Sequence, residues 1–164
     1  DEQLETMKRI WAGGPAGENA GPIGPPPVRD GGPVLLIGAN SPRAMARVGK
    51  WGDGFIAGGG GPDIAKQSYD AARQSWKDAG RQGEPRLAAG AYFALDDDAK
   101  SRGAENIMHY YGEPFGPMIS EGLPDSVDAV KELISGFSDA GCDELILWPT
   151  VTDLDQVERL AELI

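Results

Sequence analysis

The feature that most constrains the fold is a regular alternation of short apolar runs with helical patterns. Each apolar run is bounded by turn-forming residues, as buried strands are, and each is followed by apolar residues recurring every three or four positions, as on an amphipathic helix. Strands that alternate with helices in this way predict a parallel sheet with right-handed crossovers. The four predicted strands are Pro33–Gly38, Phe55–Ala57, Arg86–Leu95 and Glu144–Pro149.

The 164 residues are enough for a single domain of ordinary size. Before the first predicted strand, Leu4, Met7 and Trp11 repeat at helical spacing, and two glycines then end the pattern. Glycine and proline are concentrated in the stretch that follows, which we expect to be an exposed connector. The predicted parts are a leading helix over 1–12, a Gly/Pro-rich connector over 13–32 and four βα units over 33–164.

Four βα units occur in two common types of fold. They are half of the eight units of a TIM barrel, and they also form small, open, doubly wound sheets. The leading helix has no strand before it, which favours part of a larger barrel. The sequence therefore predicts an α/β fold that is half of a (β/α)8 TIM barrel, with four parallel βα units preceded by a helix.

Charge and composition exclude several classes of function. Lys plus Arg is 15 and Asp plus Glu is 26, which gives a net charge of −11, so nucleic acids and anionic membranes would be repelled. No apolar run approaches the ~20 residues that span a bilayer, and no signal-peptide pattern is visible. A single cysteine, Cys142, and a single histidine, His109, allow neither an internal disulfide nor a His/Cys metal cage. We expect a cytoplasmic, metal-free protein with no nucleic-acid or membrane partner.

Ligands in parallel βα folds bind at the carboxyl ends of the strands. After the first predicted strand, Gly38 and Ala39 allow close approach to the backbone, and Asn40 and Ser41 add hydrogen-bonding groups. Arg43 adds a positive charge in the first turn of the next helix, whose free N–H groups favour anions. This pattern is compatible with a phosphate site, although a strand–glycine–cap–helix junction is also ordinary turn chemistry.

A second glycine-rich segment, residues 58–61, follows the next predicted strand. It allows either close approach to a ring or ribityl chain, or a flexible loop. Neither G-x-G-x-x-G nor G-x-x-x-x-G-K-[ST] occurs, so the nucleotide-binding fingerprints are absent. The acidic run 96–98 precedes a helix, where negative charge is favoured, so we interpret it as helix capping. No carboxylate pair stands clearly at a strand end, and no catalytic residue is assigned.

Four segments, in order, resemble motifs of the luciferase-like monooxygenase family. The run from Ser41 to Phe55, SPRAMARVGKWGDGF, is similar to that family's "S-P-x-A … A-D-G-W" segment, and GPVLLIGA before it is similar to "P-P-I-x-V-G-G". GLPDSV from Gly122, with AGCDEL from Ala140, resembles "G-[ST]-P-E-x-V … A-G-x-D-x-x". The opening ETMKRIW resembles the helix "x-L-R-x-L-W". The resemblance covers essentially the whole chain and corresponds to the second half of the family's barrel.

The resemblance implies an oxidoreductase that uses FMN, the commoner cofactor, or alternatively a deazaflavin, and acts on a small organic substrate. It also implies that the segment Gly38–Arg43 helps to hold the cofactor phosphate and that the second strand end lies near the cofactor. The cofactor-binding residues implied are Gly38, Ala39, Asn40, Ser41, Arg43 and Gly58. The family often has two glycines where this chain has Gly38 and Ala39, so the extra methyl group restricts backbone approach. The usual catalytic side chains belong to the first half of such barrels, so this chain alone is expected to be a poor catalyst.

Two other hypotheses remain open from the residues. A non-catalytic half-barrel could form a homodimer through the open edges of its sheet, at the strands that contain Leu35 and Ile146. An open-sheet binder of small ligands unrelated to flavin is the third. A flavin protein would be yellow or would quench added FMN, a structural half-barrel would be a colourless dimer, and an unrelated binder would be a monomer indifferent to flavin.

Overall fold

The computed structural model describes residues 1–96 and 98–164. Thirteen helices and strands are formed over these residues. In chain order they are α1 (Glu2–Trp11), β1 (Pro15–Gly17), β2 (Ala20–Pro22), β3 (Leu36–Ile37), α2 (Pro42–Trp51), β4 (Gly54–Gly58), α3 (Gly61–Asp78), β5 (Arg86–Phe93), α4 (Ala99–Tyr111), α5 (Phe115–Glu121), α6 (Val127–Asp139), β6 (Glu144–Pro149) and α7 (Asp155–Ala161).

Four parallel strands form the main sheet, in the order β3-β4-β5-β6. Sequential order with a helical crossover between neighbours is the arrangement of consecutive units in a TIM barrel. The structure therefore confirms the predicted α/β half-barrel, with four parallel strands and a leading helix.

The hydrophobic core lies between one face of this sheet and the helices α2, α3 and α6. Phe55 of β4 packs edge-on against Tyr69 of α3, with ring centroids 6.1 Å apart. Tyr69 is fully buried, and its hydroxyl donates to the carbonyl of Ala88 in β5 at 3.1 Å. Alternate strand residues such as Leu87 and Ala89 join this core, so the residues between them face the opposite side. We call this opposite side of the sheet the inner face.

Strand β4 extends one residue beyond its prediction at each end, and two strands are shorter than predicted because side chains bind their ends. β3 covers only Leu36–Ile37, since the N–H of Leu35 donates to the carboxylate of Asp53 at 2.8 Å. β5 stops at Phe93 because the backbone of Leu95 is hydrogen-bonded to the side chain of Gln156 instead of to a strand.

Equivalent aspartates precede the strands β4 and β6. Asp53 receives the N–H of Leu35, and its own N–H donates to the Leu35 carbonyl at 2.7 Å. Asp143 repeats this pattern: its carboxylate accepts from the N–H of Leu87 at 2.7 Å, and its N–H donates to the Leu87 carbonyl at 2.7 Å. Each pair of bonds joins neighbouring strands at the amino end of the sheet.

The structure adds two elements that the sequence did not predict. The connector, expected to be a loop, contains the short antiparallel hairpin β1–β2, which is largely exposed. Residues 113–124, whose Gly and Pro content predicts a loop, contain helix α5. This helix packs against α4, where a Cβ on Gly116 would lie 2.6 Å from the sulfur of Met108. One glycine of this Gly- and Pro-rich segment therefore serves a close contact between two helices.

Candidate functional site

The carboxyl end of β3 leads directly into α2 at Ser41. Ser41 is the N-cap residue, with extended backbone (φ −145°, ψ 155°), and its Oγ accepts from the N–H of Ala44 at 3.3 Å. Pro42 occupies the first helical turn, where a missing N–H costs nothing. Because Oγ uses only a lone pair in the cap, the hydroxyl proton of Ser41 is available for an acceptor such as a phosphate oxygen.

The charged and amide groups of this junction face solvent. Asn40, Ser41 and Arg43 are exposed. Arg43 takes part in none of the ion pairs formed within residues 1–96 and 98–164. Its guanidinium is therefore available to an anion at the start of α2, where the helix dipole also favours negative charge.

The carboxyl end of β4 is open around Gly58. A Cβ built on Gly58 would meet no heavy atom within 4 Å, so a methyl-sized space lies over its backbone. The next three glycines, Gly59, Gly60 and Gly61, have φ of 63°, 84° and 75°, a left-handed conformation that favours glycine. Glycine is thus required by the backbone after Gly58, whereas at Gly58 it only leaves room.

An open groove of about 810 Å³ runs between α2 and α3 and reaches this junction. It brings together three of the predicted residues, Ala39, Asn40 and Ser41. Gly38, Arg43 and Gly58 do not line it. The groove lies between the helices, whereas Gly58 is on the inner face, so the six predicted residues surround the carboxyl edge from both sides and do not share one cavity.

The carboxyl end of β5 is held by a network around Arg102 of α4. The guanidinium contacts the carboxylates of Asp96 at 3.0 Å and Asp153 at 2.8 Å, and lies 3.4 Å from that of Asp98. Asp98 is the N-cap of α4 but makes no side-chain cap bond, whereas Asp96 accepts from the N–H of Asp98 at 3.1 Å. The predicted capping role of the acidic run is thus largely replaced by pairing with Arg102. Asp97, part of that prediction, lies outside the described residues.

Three aromatic side chains on the inner face were missed by the sequence analysis. Tyr92 of β5 and Trp148 of β6 are register partners with ring centroids 5.8 Å apart. Tyr111, at the end of α4, is edge-on to Tyr92 at 6.2 Å, and the two hydroxyls lie 2.9 Å apart. This hydrogen bond, and then burial, raise the pKa of Tyr92 to about 12. The available signal was an aromatic residue at the last inner-face position of two adjacent strands.

No group of three or more His, Cys, Asp or Glu side chains with metal-binding geometry occurs within residues 1–96 and 98–164. No helix in the described part of the chain is long and apolar enough to cross a bilayer.

Comparison with known proteins gives both a family and a fold. The sequence profile of the family described as luciferase-like monooxygenase matches residues 1–134. No curated protein sequence matches the chain.

Three solved structures that share the fold have low sequence identity. An F420-dependent secondary alcohol dehydrogenase in complex with an F420–acetone adduct is 15% identical, with a TM-score of 0.72, and the match covers 99% of this chain and 59% of that one. The coenzyme F420-dependent tetrahydromethanopterin reductase from Methanopyrus kandleri is 16% identical, with a TM-score of 0.70, and the match covers 98% of this chain and 60% of that one. The monooxygenase RslO1 from Streptomyces bottropensis is 15% identical, with a TM-score of 0.68, and the match covers 99% of this chain and 57% of that one. The chain thus spans a little under two thirds of the length of each.

Proposed function

This chain belongs to the luciferase-like monooxygenase family, and we propose that it corresponds to the C-terminal half of the barrel of a flavin- or deazaflavin-dependent oxidoreductase. In this proposal it holds the cofactor phosphate at the carboxyl edge of its sheet. The family match and the F420 named for two of the similar structures support a cofactor of this class. FMN and F420 both join a phosphate to a tricyclic ring, and that shared chemistry is what the proposal assigns.

The observation that carries the proposal is the junction between β3 and α2. It combines an exposed arginine without an ion pair among the described residues, a serine hydroxyl with a proton to donate, and the start of a ten-residue helix. A phosphate dianion would accept from Ser41 and Asn40 and pair with Arg43, and Gly38 and Ala39 would let the backbone approach it. The space over Gly58, on the neighbouring strand, is open to the ring or its side chain.

When bound, the cofactor supplies the redox chemistry, which is transfer of electrons or hydride to and from a small organic substrate. The residues of this chain bind and orient it. The pairing of Arg43 with the phosphate fixes one end, and the inner face limits where the ring can lie.

The test is a binding cycle with two ligands and two proteins. FMN and riboflavin, which lacks the phosphate, are titrated into the wild type and Arg43→Ala, with fluorescence quenching of the flavin as the readout. Loss of one charged hydrogen bond is worth ~1.5–3 kcal/mol, so FMN binding should weaken about 10-fold or more, whereas riboflavin binding should not change. Lys131→Ala, which removes an exposed charge from α6, is the matched control.

A parallel titration with F420 decides between the two cofactors. The proposal is contradicted if neither compound binds, or if Arg43→Ala weakens FMN and riboflavin equally.

A second candidate, a self-associating half-barrel, is favoured by the edges of the sheet. Among the described residues, β3 and β6 each pair with a neighbour on one side only. Val34 is 47% exposed beside β3 and Trp148 is 43% exposed in β6. Unpaired strand edges with exposed apolar side chains are ready to pair with another chain, and in this proposal two copies form a homodimer through them.

A further inference from the structure

The three aromatic side chains of the inner face form a continuous surface, named here the aromatic wall: Tyr92, Tyr111 and Trp148. They come from β5, α4 and β6, and successive ring centroids lie 6.2 and 5.8 Å apart. Trp148 is 43% exposed and Tyr111 is 36% exposed. Apolar aromatic surface in an accessible position is available to stack or pack edge-on against another ring.

A strip of bare backbone lies beside the aromatic wall. A Cβ on Gly90 would collide with the six-membered ring of Trp148, so this ring lies directly against the Gly90 backbone. Gly58, the register partner of Gly90 on β4, has nothing within 4 Å of a built Cβ. The inner face thus has a free floor at Gly58 next to the edge of Trp148, which suits a flat group and not a bulky one.

The two tyrosine hydroxyls supply one directed donor. Their oxygens are 2.9 Å apart, so one O–H donates to the other and the accepting hydroxyl keeps its own proton for a third group. Donation along such a chain is strengthened by polarisation. The group that this pair recognises is therefore an acceptor, such as a carbonyl oxygen.

The distribution of charge on the inner face indicates which class of ligand the site accepts. The charged inner-face residues of β5 and β6, Arg86 and Glu144, stand at the amino end of the sheet and pair with each other. From there to the carboxyl end, the inner-face positions of β4, β5 and β6 are uncharged: Ile56, Gly58, Ala88, Gly90, Tyr92, Ile146 and Trp148. A neutral ligand is favoured.

We propose that the aromatic wall binds a neutral, planar, conjugated ring compound with a carbonyl oxygen, beside the space over Gly58 that the proposed function leaves to the cofactor, and that this is the substrate class of the site. The ring packs against Trp148, and the carbonyl accepts a hydrogen bond from the Tyr92–Tyr111 pair. The assignment of this compound as substrate rests on the proposed function, whereas its binding does not require the cofactor.

The test compares two probes of similar size by isothermal titration calorimetry on the full chain. Coumarin has a conjugated carbonyl and naphthalene has none. Coumarin should bind more tightly, and Tyr111→Phe should weaken coumarin about five-fold, the value of a neutral hydrogen bond, without changing naphthalene. Tyr110→Phe is the matched control, because Tyr110 is 78% exposed and lies outside the hydroxyl pair. Trp148→Leu should weaken both probes.

The outcomes separate this inference from the proposed function. Absence of coumarin binding, equal affinity for the two probes, or equal effects of Tyr111→Phe and Tyr110→Phe would overturn it, even if FMN binds through Arg43. If coumarin binding depends on Tyr111 while FMN and F420 do not bind, the ring site stands and the proposed function falls. Should Tyr111→Phe fail to fold, Tyr92→Phe removes the same hydrogen bond and makes the same prediction.

Discussion

The side-chain amide of Gln156 in α7 pairs with both backbone groups of Leu95 beyond the end of β5. Its Oε1 accepts from the Leu95 N–H at 2.7 Å and its Nε2 donates to the Leu95 carbonyl at 3.1 Å. Gln156 has no exposed surface, so these bonds replace strand pairing at a point that water does not reach. They join the last helix to the edge of the sheet that carries the candidate site.

Replacing Gln156 should therefore be costly. Gln156→Leu keeps the volume but leaves the buried N–H and carbonyl of Leu95 without partners, at ~1–3 kcal/mol for each orphaned group. We expect a loss of about 2–4 kcal/mol in the free energy of unfolding, measured by urea denaturation. Glu158→Ala, an exposed change in the same helix, should cost less than ~0.5 kcal/mol. Equal effects of the two changes would show that the pairing with Leu95 contributes nothing.

Asp53 should make stability depend on pH in the acidic range. Burial acts to raise its pKa, but hydrogen bonds from Arg29 and from the Leu35 N–H, with the nearby positive charges, outweigh burial and leave the pKa lowered. A carboxyl whose pKa is lower in the folded state stabilises the protein above its unfolded pKa of ~4, and this contribution is lost as pH falls through the folded pKa.

The variant Asp53→Asn tests this dependence. At neutral pH it should lower the free energy of unfolding by about 1.5–3 kcal/mol, the value of a hydrogen bond to a charged group. Below pH ~4 the difference from the wild type should shrink. Asp30→Asn, at an exposed carboxylate of the connector next to Arg29, is the control. A difference that stays constant from neutral to acidic pH would contradict the assigned role of the charge.

Two glycines should differ in how their replacement by alanine affects stability. Gly49 is buried where α2 meets α3, and a Cβ there would collide with the carbonyl of Ser75. Overpacking of this kind costs ~1–3 kcal/mol, against ~1 kcal/mol gained in helix propensity, so Gly49→Ala should lower the melting temperature. Gly58→Ala, which enters open space, should leave stability within ~0.5 kcal/mol while weakening FMN binding. A destabilised Gly58→Ala would place that residue in the scaffold and not in the site.

Self-association should depend on the edge at β3. In light scattering after size-exclusion chromatography, the proposed homodimer should become a monomer in Val34→Lys, because a charge on an edge strand opposes pairing. Val157→Lys, which alters an apolar residue of α7 that is 56% exposed, should leave the dimer intact. A wild-type monomer would remove the second candidate function.

The parallel sheet and its helices could be predicted because their apolar residues follow simple periods. The spacing of Ala65, Tyr69, Ala72 and Trp76 predicts α3, and those residues form its buried side. The strand Glu144–Pro149 agrees with its prediction at both ends. In these segments burial alone determines the spacing of the apolar residues, so the sequence is sufficient to predict the helix or strand.

Other features could not be predicted because they depend on distant partners. The shortening of β3 depends on Asp53, 18 residues after Leu35, and the end of β5 depends on Gln156, 61 residues after Leu95. The aromatic wall was missed because Tyr92 and Trp148 stand in strands that have the pattern of an ordinary core. Which face of a strand is left open is decided by the helices that pack on the other face.

The paired hydrogen bonds of Asp53 with Leu35 and of Asp143 with Leu87 fix the register of neighbouring strands. A slip of one residue between β3 and β4, or between β5 and β6, would separate a carboxylate from its N–H and turn every side chain of that strand to the other face. Both pairs of hydrogen bonds lie at the amino end of the sheet, while the groups proposed to hold cofactor and substrate lie at the carboxyl end. The spacing of the ligand-facing residues is therefore set from the far side of the molecule, and substitutions there can misplace a site that they never touch.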